Sequence, residues 1–214
     1  MPAQPLIVGN PVFVVVDMQE SGDMPAEEVG IAHMPGYDER ISRTRQLLTA
    51  ARSAGIPVVF FQEVHRPSGV DFGRELDGTE GPHCIDGRPG TPLHPDLLPE
   101  PGEFHIVKRR YSGFIGTDFE IVLSGLRAST LILIGGLTDV CVHYTFADAH
   151  QRDFYVRVVT DCVGGSSPYR PDAALDAMEY LQAGAMRTTD EIITAFSDMC
   201  PSELSSPALE GVAR

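Results

Sequence analysis

Three polar residues stand at or just after the ends of apolar runs. Asp17 closes PVFVVVD, Lys108 closes FHIVK, and Cys141 follows STLILIGG within GGLTDVCVHYT. An acid, an amine and a thiol can together cleave an amide. The carboxylate takes the thiol's proton as sulfur attacks the carbonyl, and the ammonium stabilises the charge that develops. Cys141 at a helix start would also meet unpaired backbone N–H groups, which with a nearby ammonium favour the thiolate. Plainer readings stand beside these: Cys141 as core filler, Asp17 as a turn or cap residue, Lys108 as part of a solvated patch with Arg109 and Arg110.

The chemistry requires the three to converge, so the intervening elements decide the matter. Pro11 to Asp17, Ile56 to Phe61, Phe104 to Lys108 and Ser129 to Gly136 read as strands; the three longer runs are continuously apolar, as suits strands covered on both faces. Phe154 to Thr160 adds another, and a short apolar element lies around Ala185 to Arg187. Helices are predicted over Asp38–Ala54, Gly116–Ser124, Val142–Arg152, Pro171–Gln182 and Thr189–Phe196. Alternation of this kind predicts βαβ units: an α/β fold, a three-layer α/β/α sandwich with a mainly parallel, Rossmann-like sheet. It is expected to form a single domain over residues 1–214. Ligands in such sheets bind beyond the carboxyl ends of the strands, where all three polar residues fall. The phosphate-binding glycine motifs of nucleotide enzymes are missing.

A net charge of −14 argues against binding a phosphate backbone, so no nucleic-acid partner is expected. No apolar run is long enough to span a bilayer, and MPAQPLIVGNP does not read as a signal peptide, so no membrane partner is expected either. Cys84, Cys141, Cys162 and Cys200 are widely spaced, which predicts reduced thiols and a cytoplasmic location. Gln62 to Gly102 is rich in glycine and proline and lacks a period; its length predicts a functional or oligomer-contacting excursion. The tail from Pro201 reads as loosely structured.

DMQ at Asp17–Gln19, VKRRYSGF at Val107–Phe114 and GGLTDVCV at Gly135–Val142, with their spacing, resemble the isochorismatase-like cysteine hydrolases. That family includes nicotinamidases and the carbamoylsarcosine, ureidoacrylate and biuret hydrolases, and the resemblance covers nearly the whole chain. It implies Asp17 as acid/base, Lys108 as the cationic member and Cys141 as nucleophile. It also implies a cis peptide at Gly136–Leu137, with the N–H groups of Leu137 and Cys141 in an oxyanion hole. Relatives that cleave a vinyl ether lack the cysteine, so the expectation is C–N bond hydrolysis through a thioester. The expected substrate is a small linear amide or a ureido or carbamoyl compound, releasing ammonia or an amine. Two alternatives stay open: a nicotinamidase-type metal-containing amidase, and a non-catalytic protein with a relic site.

Nicotinamidases of this family often hold a divalent ion, and Glu63, His65, Asp71 and His83 are the candidates for one here. EVHRP also resembles the metal-free biuret hydrolases, in which Glu63 would pair with Arg66, so no cofactor is expected. Gln19 could orient a substrate carbonyl or the cysteine loop. Tyr111, Phe114, His143 and Tyr144 are candidate aromatic walls, and Arg109, Arg110 or Arg170 could bind a carboxylate or lie on the surface. Relatives are commonly dimers or tetramers, which predicts a homodimer or homotetramer with the Gln62–Gly102 excursion at its interface.

Overall fold

A computed structural model describes residues 5–199, so Cys200 and the tail from Pro201 lie outside the described residues. Six strands form one sheet: β1 (Asn10–Val16), β2 (Val58–Glu63), β3 (Phe104–Lys108), β4 (Ala128–Gly136), β5 (Tyr155–Gly164) and β6 (Met186–Arg187). Their order is β3-β2-β1-β4-β5-β6, and every pairing is parallel. This is the three-layer, Rossmann-like arrangement the alternation predicts.

The helices are α1 (Ala26–Val29), α2 (Tyr37–Ser53), α3 (Phe119–Gly125), α4 (His143–His150), α5 (Arg170–Leu181) and α6 (Thr189–Ser197). Alternate residues of β1 point to opposite faces of the sheet, so one strand feeds two cores. Val12, Val14 and Val16 pack with Phe119, Phe146 and Met178 from α3, α4 and α5. Phe13 and Val15 pack with Leu47, Leu48 and Phe196 from α2 and α6. Burial on both sides explains the unbroken apolar runs.

The chain builds outward from β1 to β2 and β3, then returns to lay β4 on the other side of β1. The switch point therefore lies between β1 and β4, the place where such sheets leave a crevice at their carboxyl ends. Here the two strands approach very closely. A Cβ at Gly135 (φ +111) would lie 2.0 Å from the Val16 carbonyl oxygen, so only glycine fits.

Element boundaries differ from expectation in several places, and β2 spans Val58–Glu63 rather than Ile56–Phe61. β5 runs on to Gly164 rather than stopping at Thr160. The helix expected from Gly116 begins at Phe119, because Gly116 has φ +70 and the Thr117 hydroxyl accepts from the Phe119 N–H. The helix expected from Val142 is preceded by a π turn, Thr138–Val142, which contains Cys141. The Gln62–Gly102 excursion has only short 3₁₀ turns, at Glu75–Asp77 and Pro95–Leu97, and folds back over the strand ends. His65 N–H donates to the Cys84 carbonyl (2.7 Å), and Asp86 N–H returns a bond to His65 (2.8 Å). Among the described residues, no helix is long and apolar enough to cross a membrane.

Candidate active site

Asp17 follows β1 in a left-handed conformation (φ 49), which aspartate tolerates better than most residues. Lys108 ends β3, two strands away, and Glu63 ends β2 between them, in register with Lys108. The fully buried Lys108 side chain reaches back over the end of β2. Its Nζ lies 2.7 Å from Asp17 Oδ2, 2.8 Å from Glu63 Oε2 and 3.3 Å from Cys141 Sγ. Cys141 Sγ is also 3.5 Å from Glu63 Oε2. The structure thus brings Asp17, Lys108 and Cys141 together and adds Glu63 to the group. Both Asp17 oxygens lack a well-angled donor even beside the ammonium, so they keep acceptor capacity.

Burial pushes Asp17 up to about 6, partly opposed by Lys108 and reinforced by Glu63. Burial also favours a neutral Lys108, but Asp17, Cys141 and Glu63 outweigh it and hold the ammonium charged. For Glu63, burial is overcome by Lys108, His65 and His83, and the carboxyl stays well below its usual range. Burial pushes the Cys141 thiol well above its usual range, outweighing Lys108, with Glu63 and Asp17 adding to the rise. The helix start and ammonium expected to favour the thiolate are thus outweighed by burial, which leaves the proton for Asp17 to take. The ammonium is in place, but desolvation and two carboxylates keep the proton on sulfur.

A second group lies behind Glu63. Glu63 Oε1 is 3.1 Å from His65 Nε2 and 3.2 Å from His83 Nε2, and Glu75 Oε2 is 3.1 Å from His65 Nε2 and 4.0 Å from His83 Nε2. One Nε2–H cannot serve both carboxylates, and neither Glu75 oxygen receives a hydrogen bond. His83 Nδ1 donates to the Gly81 carbonyl (2.8 Å), leaving a neutral ring's Nε2 lone pair toward the cluster. That is how metal-bound histidines are commonly held. Two imidazoles and two carboxylates at this spacing fit a divalent ion such as zinc, manganese or iron, which would supply Lewis-acid chemistry beside Glu63. With protons alone, burial works against charging His65, but its contacts with Glu63 and Glu75 prevail and raise it to about 9.

Glu75 was not foreseen, since it sits in an irregular stretch with no sequence period. Asp71 stands outside the cluster: it pairs with Arg66 (2.8 Å) and Arg109 (2.9 Å) and lies 3.7 Å from His65 Nδ1. The expected Glu63–Arg66 pair is therefore not formed, because Lys108 and the imidazoles surround Glu63.

A single cleft is lined by Asp17, Glu63, Tyr111, Leu137 and Cys141, with the excursion contributing Glu80, His83 and Cys84. Gln19 also lines it, but its amide is engaged with the backbone. It bonds Glu63 O (3.1 Å), Thr91 O (2.6 Å) and Glu63 N–H (3.1 Å), tying β1 to the end of β2. Three expected walls are placed elsewhere. Phe114 packs in the core against Phe119 and beneath Arg152, held there by the turn after Gly113. His143 and Tyr144 begin α4 and do not line the cleft; Tyr144 is 54% exposed and its ring packs against that of Tyr111. Arg110 bonds the Asp71 carbonyl and Arg170 the Ser166 hydroxyl. The Gly136–Leu137 peptide is cis, as the resemblance implies.

A parallel sheet with a thiol, an amine and an acid at its switch point defines a class of hydrolase fold. The isochorismatase domain matches residues 11–191, and the chain belongs to that family as an enzyme, a hydrolase. It is 30% identical over 223 residues to ureidoacrylate amidohydrolase RutB of Pseudomonas syringae pv. syringae (strain B728a), covering 92% of this chain and 89% of the relative. Among solved structures, it resembles the N-carbamoylsarcosine amidase of Thermoplasma acidophilum at 27% identity and TM-score 0.70, covering 85% of this chain and 97% of the other. It also resembles the pyrazinamidase of Pyrococcus horikoshii in complex with zinc, at 27% identity and TM-score 0.70, covering 84% and 98%.

Proposed function

We propose that the chain acts as one domain and is a cysteine-dependent amidohydrolase of small linear amides or ureido compounds. The observation that carries this reading is the buried Lys108 Nζ, 2.7 Å from Asp17 and 3.3 Å from Cys141, the latter two residues lining one cleft. Asp17, pushed up to about 6, is ionised at neutral pH yet basic enough to take a proton. As the carbonyl carbon approaches, Asp17 removes the Cys141 proton and sulfur adds to the carbon. The N–H groups of Leu137 and Cys141 are assigned to the oxyanion; one such donor is typically worth about 3–4 kcal/mol. Collapse breaks the C–N bond, and protonated Asp17 returns its proton to the leaving nitrogen. Water then loses a proton to Asp17 and attacks the S-acyl intermediate, a thioester or, from a ureido carbonyl, an S-carbamoyl group. Sulfur leaves and recovers the proton.

Keeping the thiol neutral until substrate arrives protects it from adventitious electrophiles, because the thiolate is the reactive form. Free thiols at Cys84, Cys141 and Cys162 suit a cytoplasmic setting. The similarity to ureidoacrylate amidohydrolase favours a ureido substrate, and a homo-oligomer is the proposed assembly.

The test is an ammonia- and amine-release screen over ureidoacrylate, biuret, N-carbamoylsarcosine, nicotinamide and simple carboxamides. It is combined with mass spectrometry of acid-quenched enzyme for an adduct on Cys141. Turnover of a ureido or linear amide substrate with that adduct is the expected result. Absence of release from every compound would sink the reading and leave a relic-site binding protein. A second reading, a metal-containing nicotinamidase type, is favoured by the Glu63–His65–Glu75–His83 cluster. It requires nicotinamide as the best substrate together with stoichiometric metal.

A further inference from the structure

We propose that Arg40 is a specificity-determining residue: it supplies the cation on which a substrate carboxylate docks while the scissile amide faces Cys141. The inference rests on the amidohydrolase reading and narrows its substrates to short ureido or amide acids.

Arg40 lies in the first turn of α2, is 8% exposed, and lines the same cleft as Cys141, Gly136 and Gly164. Its guanidinium hydrogen-bonds only backbone carbonyls, from Nη1 to Pro35 (2.9 Å) and from Nη2 to Met34 (3.0 Å). It lies over the Tyr37 ring, 5.8 Å from the centroid. No carboxylate forms an ion pair with it among the described residues, and Glu39, the acid that acts on it electrostatically, is exposed. A buried guanidinium without an anion is unfavourable unless something supplies one. Lys108, the buried cation beside Cys141, already has two carboxylates.

Arg157 is the informative contrast. It is fully buried, and it too is fed by oxygens, from Pro5, Leu6, Val156 and Gln182. It does not line the cleft, and two of its four acceptors, the carbonyls of Pro5 and Leu6, tie that segment to β5. Arg40 has two carbonyls and lines the cleft. The sequence makes room for it there. A Cβ on Gly164 would lie 2.6 Å from the guanidinium carbon, so glycine there is what lets the charge lie over the strand end. Gly164 is the register partner of Gly136, which precedes the cysteine loop. Neighbouring strands are about 5 Å apart, so a short molecule can reach from the cysteine loop to Arg40.

Because Arg40 also fastens the Met34–Pro35 loop, loss of activity in a variant would not distinguish the roles. A ratio does. Binding of 3-ureidopropionate and of propylurea, in which a methyl group replaces the carboxylate, is measured by calorimetry on Cys141→Ser and on the double variants with Arg40→Met and Arg40→Lys. The acid is expected to bind about tenfold or more tighter than propylurea. Arg40→Met should erase that ratio and Arg40→Lys should retain part of it. Equal weakening of both ligands by Arg40→Met, no preference in the parent, or no binding of the acid overturns the proposal. Turnover in the unsubstituted enzyme is read separately. Preferential binding without any hydrolysis would sink the amidohydrolase reading and leave Arg40's role intact. Equal hydrolysis of both ureas would do the reverse.

Discussion

Glu63 divides the buried polar network into two halves with different surroundings. On one side, Asp17 and Cys141 line the cleft and the buried Lys108 joins them from beneath, so that the charges are nearly balanced around one ammonium. On the other, His65 and Glu75 sit at the rear with His83 between them and the cleft, and the group has more nitrogen and oxygen lone pairs than protons can satisfy. The first half comes from strand ends, whose positions the sheet fixes. The second hangs on the excursion, so its geometry depends on the loop closing over it. One half is arranged to move a proton, the other to hold Glu63 in place. The two oxygens of Glu63 serve different masters: Oε2 faces the ammonium and thiol, and Oε1 the imidazoles.

The comparison breaks most visibly if the front half is cut. Lys108→Met leaves Asp17 and Glu63 buried without their shared cation. Removing one partner of a buried pair typically costs about 3–5 kcal/mol. We expect that loss of stability in urea titrations, and a fall in kcat/KM of about 10³-fold or more, comparable to losing other transition-state charge stabilisers. A variant with wild-type stability would show that the ammonium is not what holds the two acids together.

A smaller and sharper effect concerns pH. Asp17 must be ionised to accept the thiol proton, and burial places it at about 6. The rate should therefore fall as pH drops through about 6, with kcat/KM losing about tenfold for each further unit. Asp17→Asn should abolish this limb together with most activity. For stability the sign is opposite to that of an ordinary paired acid. A carboxyl raised in the fold is easier to ionise when unfolded, so this group disfavours the fold increasingly from pH 3.8 to about 6. An acid limb lying near pH 4 would mean that Asp17 is better solvated than its setting implies.

The front half was legible in the sequence because it obeys a rule that needs no coordinates: a polar residue terminating a buried apolar strand sits at the carboxyl edge of a parallel sheet. Asp17 and Lys108 announced themselves in this way. Glu63 did not, because the second strand was expected to stop at Phe61 and runs on to Glu63, which the sequence offered as a metal ligand or a partner of Arg66. The rear half was legible only in part: His65 and His83 stood out beside Glu63, but Asp71 was named where Glu75 lies. Glu75 lies in a stretch without periodicity and reaches the site through loop contacts that no local propensity encodes. The aromatic walls failed for a related reason. Phe114 and Tyr144 lie close in sequence to the site, but side-chain direction depends on the turn after Gly113 and on the phase of α4. That phase was set by a π turn rather than by a simple helix start. The extent to which burial raises the thiol was not legible either, because a sequence shows which charges exist but not how much water they lose.

Glu75→Gln tests the rear half alone. It removes one carboxylate facing His65 without touching the cleft, so kcat should change less than about threefold while stability falls by about 1–2 kcal/mol at neutral pH. The pH dependence is the more telling reading. With His65 raised to about 9, its contribution to stability is complete below pH 6.5 and is lost as pH climbs through 9. In Glu75→Gln that decline should begin at lower pH. A large fall in kcat with unchanged stability would move Glu75 from the support of Glu63 into the reaction itself.

The smallest expected effect decides what closes the rear half. In the proposed reaction no step passes through Glu63, His65, Glu75 and His83; the proton moves between Asp17, sulfur, the leaving nitrogen and water. Dialysis against a chelator should therefore leave kcat/KM on a ureido substrate unchanged within about twofold, whatever occupies the cluster. Thermal midpoints then separate the two ways of filling it, since any ion bound only by the folded chain stabilises it by mass action. If protons close the cluster, the midpoint does not move on chelation and does not rise when zinc is added back. If an ion does, the midpoint falls with the chelator and recovers with zinc, at unchanged turnover. Activity lost and restored in step with the ion would erase the division between the halves, because a group placed to hold Glu63 would then be setting the chemistry at Cys141.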